Sequence, residues 1–188
     1  DAGATPDAGR LLARARSTHR LGARLVHTAA PPRHGRDTML AVSDEAWERL
    51  RSVNLDAGFR LGRGISKALI DAKSPGALLY LTSLHAETPR NLPHYSTSKA
   101  AMAMLVKELA KALVRSSIRV TALVPGAIAA GGLFSDPSTA QAIPQARLGR
   151  ADDLAPMPRA LLTGACPGYV PLARPVLTGG LVAPHLVA

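Results

Sequence analysis

Four short apolar runs, each closed by turn residues, alternate along this 188-residue chain with stretches of helical periodicity. The runs are "ARLVHTAA" (23–30), "GALLYLTS" (76–83), "IRVTALVPG" (118–126) and, more weakly, "RPVLTGG" (174–180). Continuous apolar runs of this length suit strands buried on both faces. Between the first two, residues 43–72 read as one long helix, with Ser43 as N-cap and Asp44 and Glu45 in the first turn, where the helix dipole favours anions. Between the second and third, residues 92–115 carry Met102, Leu105, Val106, Leu109 and Leu113 at helical spacing. Strand and helix in alternation specify an α/β fold, a doubly wound parallel sheet with right-handed crossovers and helices on both faces. With 47% hydrophobic positions, no internal repeat and no linker, the chain is expected to form a single domain.

Several classes fall away. No apolar run approaches the ~20 residues that span a bilayer, and the first residues lack the order of a secretory signal, so no membrane partner and a cytoplasmic location are expected. Cys166 is the single cysteine, which excludes an internal disulfide and a multi-cysteine zinc site, and its neighbours in "TGACPGY" offer no base to activate it. His85 and His94 have no third ligand at a suitable spacing, so no metal is expected. The formal charge of +10 would suit a polyanion. Much of that excess, however, sits in one stretch where Arg10, Arg14, Arg16, Arg20, Arg24, Arg33 and Arg36 meet no acid between Asp7 and Asp37. With 3% aromatics and no helix-turn-helix or zinc-finger pattern, a solvated arginine-rich face is favoured over a nucleic-acid partner.

Ligand sites in such sheets lie beyond the carboxyl ends of the strands. The second run ends in Thr82 and Ser83, the third in Pro125 and Gly126. The loop "LHAETPRNLPH" then leads into the helix bearing Tyr95 and Lys99, which share a face because they lie four apart. An ammonium in that place favours the phenolate, and a tyrosine, which titrates near pH ~10, needs such help to act as acid or base near neutrality. The same pair also fits a solvated first helical turn. Asn54 interrupts the apolar stripe of the long helix, one turn past Leu50 and two past Trp47. A buried amide there must be hydrogen-bonded, and either kinks the helix, holds a water or marks an irregularity facing a cleft. His85, His94, Arg90 and residues 131–145 are expected to border the pocket.

The segments "VNLDAGF" around Asn54, "LLYLTSLHA" ending past Ser83, "HYSTSKAA" and "IRVTALVPGAI" follow one another in an order that resembles the short-chain dehydrogenase/reductase family. "ARLGRADDLA" and "LTGG" resemble its C-terminal part, so the likeness runs from about Leu25 to Gly180. The resemblance implies a Rossmann-like fold and hydride transfer between NAD or NADP and a small-molecule carbonyl or alcohol substrate. It implies that Tyr95 is the general acid/base, that Lys99 lowers its pKa and bonds the nicotinamide ribose, that Ser83 holds the substrate oxygen, and that Asn54 anchors a water linking Lys99 to solvent. It places Pro125, Gly126 and Ile128 near the nicotinamide carboxamide, and Ala29 at a strand end on the adenosine side. It also implies a homodimer or tetramer paired through the two long helices, for which Ala57, Gly58, Ala103 and Ala110 are read as small outer positions.

The departures are as informative. His27, Thr28, Ala29 and Ala30 stand where the family has Asn-Asn-Ala-Gly, and Ala130 stands where a threonine is common. "YVPLARP" replaces the usual Tyr-Val-Thr-Gly. The Ser83 to Tyr95 spacing is one residue shorter than the commonest one, which leaves Thr82 as an alternative hydroxyl. A glycine-rich Gly-x-x-x-Gly-x-Gly turn is read as absent from the whole sequence, and nothing before Ala23 reads as the first strands that would carry it, so the sequence is expected to be an N-terminally incomplete portion, or a shortened relative, of the nucleotide fold. Alone it is then expected to be poorly soluble and not to bind NAD(P)H measurably. An inactive subunit or binding module of the same family is the alternative reading.

Overall fold

The computed structural model describes residues 24–31, 38–129, 137–163 and 172–181. Each of the four apolar runs contains a strand: β1 (Arg24–His27), β2 (Gly76–Leu81), β3 (Ile118–Pro125) and β4 (Val176–Leu177). All pair in parallel, in the order β1-β2-β3-β4. The strands are shorter than the runs because turn chemistry intrudes. β4 is preceded by Pro175, which has no N–H to donate, and followed by Gly179 and Gly180 at φ 63° and 99°.

Alternation along β2 and β3 makes both faces of the sheet apolar. Leu78 and Tyr80 pair in register with Val120 and Ala122. They pack on one face against Leu69 of α2 (Ala57–Asp71) and Met102, Val106, Ala110 and Leu113 of α3 (Pro93–Leu113). On the other face Leu79 and Leu123 meet Leu161, with Leu154 and Met157 beside them. Those residues come from α5 (Ala151–Leu154) and α6 (Pro156–Thr163), which follow the short α4 (Pro137–Gln141). Helices therefore cover both faces, the doubly wound arrangement expected from the alternation.

The long helix is not continuous. Ser43 caps α1 (Asp44–Arg51) by accepting the Ala46 N–H at 3.2 Å, and both early acids lie in its first turn. At Ser52–Asp56 the helix widens into a π-turn, closed by the Ala57 N–H reaching back to the Ser52 carbonyl, before α2 resumes. Asn54 sits inside that turn.

Two readings of the sequence need correcting here. Ala57, Gly58 and Ala110 are buried against their own sheet rather than presented outward, and Ala103 is half-buried. The Gly-x-x-x-Gly-x-Gly spacing does occur, at Gly58, Gly62 and Gly64, but inside α2. Its use is steric: a Cβ on Gly58 would press on the His27 ring at 3.1 Å, and one on Gly62 would overlap the Tyr80 phenol oxygen. Tyr80 Oη donates to the Gly58 carbonyl at 3.0 Å, so strand and helix touch backbone to side chain at this point.

No described helix is long and apolar enough to cross a membrane. Cys166, Ala130, residues 131–136, the first three residues of "YVPLARP" and the arginines at 10, 14, 16, 20, 33 and 36 lie outside the described residues.

Candidate active site

Beyond the carboxyl ends of β2 and β3 lies a cavity of about 410 Å³, within the ~300–1,000 Å³ usual for small-molecule sites. Ser83, His85, Arg90 and Tyr95 line it from the β2–α3 connection and the first turn of α3, and Pro125, Gly126 and Ile128 line it from the end of β3. Five of the eight residues singled out from the sequence therefore meet around one space. Asn54, Lys99 and Ala29 do not line it, although Lys99 bonds the lining residue Leu81, Asn54 is tied through Ser98 to Tyr95, and Thr28, the neighbour of Ala29, does line it.

The two candidate hydroxyls differ in their surroundings. Thr82 donates its hydroxyl to the Leu123 carbonyl at 3.0 Å and is buried in the sheet. Ser83 leaves the strand in extended conformation and caps a 3₁₀ turn (Leu84–Ala86), where its Oγ accepts the His85 N–H at 3.2 Å. That bond occupies an acceptor site and keeps the hydroxyl hydrogen available to a ligand oxygen.

Tyr95 and Lys99 lie one turn apart on α3, as their spacing requires. The Lys99 ammonium donates to the Leu81 carbonyl at 2.7 Å and stands 5.7 Å from the Tyr95 ring centroid. The His85 ring meets that of Tyr95 edge-on, with centroids 5.1 Å apart. Asn54 ties the π-turn to the same helix: Nδ2 donates to Ser98 Oγ at 2.8 Å, and Ser98 donates to the Tyr95 carbonyl at 2.8 Å. Asn54 Oδ1 is buried with no partner among the described residues.

His27 is the residue that the sequence reading undervalued. It ends β1 in the place of a family asparagine, is buried, and its Nε2 donates to the Asn54 carbonyl at 3.0 Å. A carbonyl only accepts, so Nε2 carries the hydrogen. Burial lowers the pKa of His27, a tendency that the bond to Asn54 opposes and the nearby Lys99 charge reinforces. His94 does not border the cavity; it is buried in the first turn of α3.

The turn after β3 is held rigidly. Gly126 N–H donates to the Leu177 carbonyl at 3.0 Å, and a Cβ there would lie 2.9 Å from the Thr178 backbone, so glycine is required. Ile128 bridges to Gly149, and the Ala129 and Gly149 amides bond across at 2.8 and 2.9 Å. Farther round, Thr139, Ala142 and Ile143, from the stretch 131–145 expected to border the pocket, close the wall together with Leu154, which no local sequence signal marked.

A family model described as short chain dehydrogenase matches residues 10–138. Among similar proteins is 3beta-hydroxysteroid dehydrogenase 1 of Eggerthella lenta, 36% identical over 123 residues that make up 60% of this chain and 46% of that protein. The chain spans about half the length of the curated relatives it matches. A short-chain type dehydrogenase/reductase from Mycobacterium marinum superposes with a TM-score of 0.87 at 25% identity, covering 98% of this chain and 74% of that one. A candidate NAD(P) dependent gluconate 5-dehydrogenase from Beutenbergia cavernae, solved with NADP at low occupancy, does so with a TM-score of 0.87 at 25% identity, covering 97% and 75%.

Proposed function

The chain belongs to the short-chain dehydrogenase family, and from that premise we propose that it serves a nicotinamide-dependent oxidoreductase interconverting a small carbonyl compound and its alcohol. The observation that carries this reading is the convergence of the Ser83 and Tyr95 side chains on one cavity with the Pro125–Gly126–Ile128 turn.

The residues present fit the nicotinamide end of a dinucleotide. The wall offered by Pro125, Gly126 and Ile128 carries no charged side chain and is pinned by the Leu177 and Gly149 bonds, which suits a planar ring held against it. The NADP in the Beutenbergia structure supports the same class of cofactor. When bound, the nicotinamide supplies hydride to the carbonyl carbon, or accepts it in the reverse direction.

This chain's own residues handle the oxygen and its proton. Tyr95 gives its phenol hydrogen to the substrate oxygen as the carbon–oxygen double bond is reduced, and takes it back in the oxidation. Ser83 donates a second hydrogen bond to that oxygen, its orientation set by the His85 N–H on its other side. The Lys99 ammonium, anchored on the Leu81 carbonyl, places positive charge beside the phenol as the proton leaves. Asn54 Oδ1 is an acceptor suited to a bridging water behind Lys99, while Nδ2, through Ser98, fixes the backbone of Tyr95.

The test is Tyr95→Phe in the full-length protein, assayed with NADH and NADPH against a panel of small ketones and alcohols. Turnover falls at least ~10²-fold, the usual range for a positioned acid/base, while circular dichroism and thermal midpoint stay those of the parent. Retention of most of the turnover overturns the assignment.

A further inference from the structure

Resting on the oxidoreductase reading, we propose that the substrate is an anion, a short oxo or hydroxy acid whose carboxylate is received by Arg90 while its carbonyl or hydroxyl oxygen meets Ser83 and Tyr95. The cavity's titratable lining consists of His85, Arg90 and Tyr95; no aspartate or glutamate lines it among the described residues. The remaining wall is largely aliphatic, with Leu84, Ile128, Ala142, Ile143 and Leu154. A cation at one side of an apolar space, with two hydroxyls at another, is complementary to a molecule that is charged at one end, hydrocarbon between and oxygenated at the reacting carbon.

The local structure leaves this arginine uncompensated. Glu87, three residues earlier on the same loop, is paired with Arg174. Arg90 makes no ion pair or hydrogen bond with any described residue. Its backbone is held between Pro89, whose ring fixes φ, and Asn91, which adopts φ 53°. Left-handed residues other than glycine are uncommon, and here one redirects the chain directly after Arg90 and just before α3 begins at Pro93. Ser83, Arg90 and Tyr95 thus reach the same cavity from a single short connection. A guanidinium presents a planar fork that matches a carboxylate in two parallel hydrogen bonds, an arrangement an ammonium does not reproduce. The same charge disfavours amine-bearing compounds, so it selects as well as binds.

The experiment compares two isosteric pairs as substrates with NADH and NADPH in the full-length protein: levulinate against 5-methyl-2-hexanone, and 5-oxohexanoate against 6-methyl-2-heptanone. The parent protein is expected to favour the acid of at least one pair by about 10- to 100-fold in kcat/KM, chiefly through KM, the range of a charge-assisted hydrogen-bonded contact. Arg90→Leu brings that ratio toward one, and Arg90→Lys recovers only part of it. Equal or better use of the neutral ketones by the parent, or an acid preference that survives in Arg90→Leu, overturns the proposal. Binding is read separately by saturation-transfer NMR on the two acids without turnover. A signal in the parent that is lost in Arg90→Leu supports the anion site even where no ketone is reduced, an outcome that would count against the oxidoreductase reading alone. A signal that is absent, or unchanged in Arg90→Leu, refutes the anion site whatever the enzyme activity.

Discussion

Replacing His27 by leucine should cost the fold about 2 kcal/mol, and replacing it by glutamine should cost less than about half of that. The Asn54 carbonyl lies in a π-turn, where the regular helical ladder is interrupted, and its partner is the His27 Nε2–H at 3.0 Å. Both groups are buried, Asn54 completely so. Leucine keeps the apolar volume against Gly58 and Tyr80 but takes the imidazole donor away from a buried acceptor, for which ~1–3 kcal/mol is typical. Glutamine places an amide N–H near the position of Nε2 and so restores the donor. Urea unfolding at pH 7.5 measures the difference: with slopes of ~1–3 kcal/mol per molar for a domain of this size, leucine moves the midpoint down by roughly 1 M. Equal midpoints for the leucine and glutamine variants, or a leucine variant within ~0.5 kcal/mol of the parent, would show that the carbonyl does not depend on His27.

The same residue gives the stability a pH dependence of known sign. The folded state lowers the His27 pKa, first through burial and also through the Lys99 charge, with the Asn54 bond in partial opposition. The unfolded chain therefore binds the proton more readily than the native one. Stability from the neutral imidazole is complete above the unfolded value of ~6.5 and is lost as pH falls below it toward the folded value. Other histidines also titrate there, so the quantity to compare is the difference between parent and His27→Gln at pH 7.5 and 5.5. The parent should lose its advantage on the acid side, and a difference that stays constant across that window refutes the account.

Ser83→Ala should lower kcat by an order of magnitude or more, since it removes a hydrogen bond to the reacting oxygen, whereas Thr82→Val should act on thermal stability through its lost bond to Leu123 and leave the pH profile of turnover alone; the opposite pattern in steady-state kinetics would reinstate Thr82. Gly62→Ala should destabilise by about 1–3 kcal/mol in urea unfolding despite alanine's better helix propensity, because the added methyl displaces a fully buried Tyr80 hydroxyl from the Gly58 carbonyl. A Gly62→Ala protein as stable as the parent would mean that the helix retreats from the sheet without cost.

What was legible in the sequence was whatever depends on short-range geometry. Tyr95 and Lys99 share a face because they lie four apart in an unbroken helix, and the core strands announce themselves because both faces are buried. The different surroundings of Ser83 and Thr82 were legible in principle. Side chains alternate along a strand, so Thr82 follows Leu78 and Tyr80 toward α2 and α3, while Ser83 follows Leu79 and Leu81 toward the other face, where Leu81 and Ser83 both line the cavity.

The inward placement of Ala57 and Gly58 was within reach of a periodicity count, since they lie seven and eight residues past Leu50 and continue the buried stripe that Leu50 and Asn54 mark. Ala110 likewise continues the buried stripe of Met102 and Val106 in an uninterrupted helix. What no periodicity count contains is the π-turn at Ser52–Asp56 that holds Asn54. The partner of the Asn54 carbonyl lies 27 residues earlier, at the end of a strand, and only the parallel pairing of β1 with β2 brings that strand end to the helix. The histidine at that strand end, where the family has asparagine, becomes intelligible only with both halves in view: its ring N–H reaches the Asn54 carbonyl inside the widened turn.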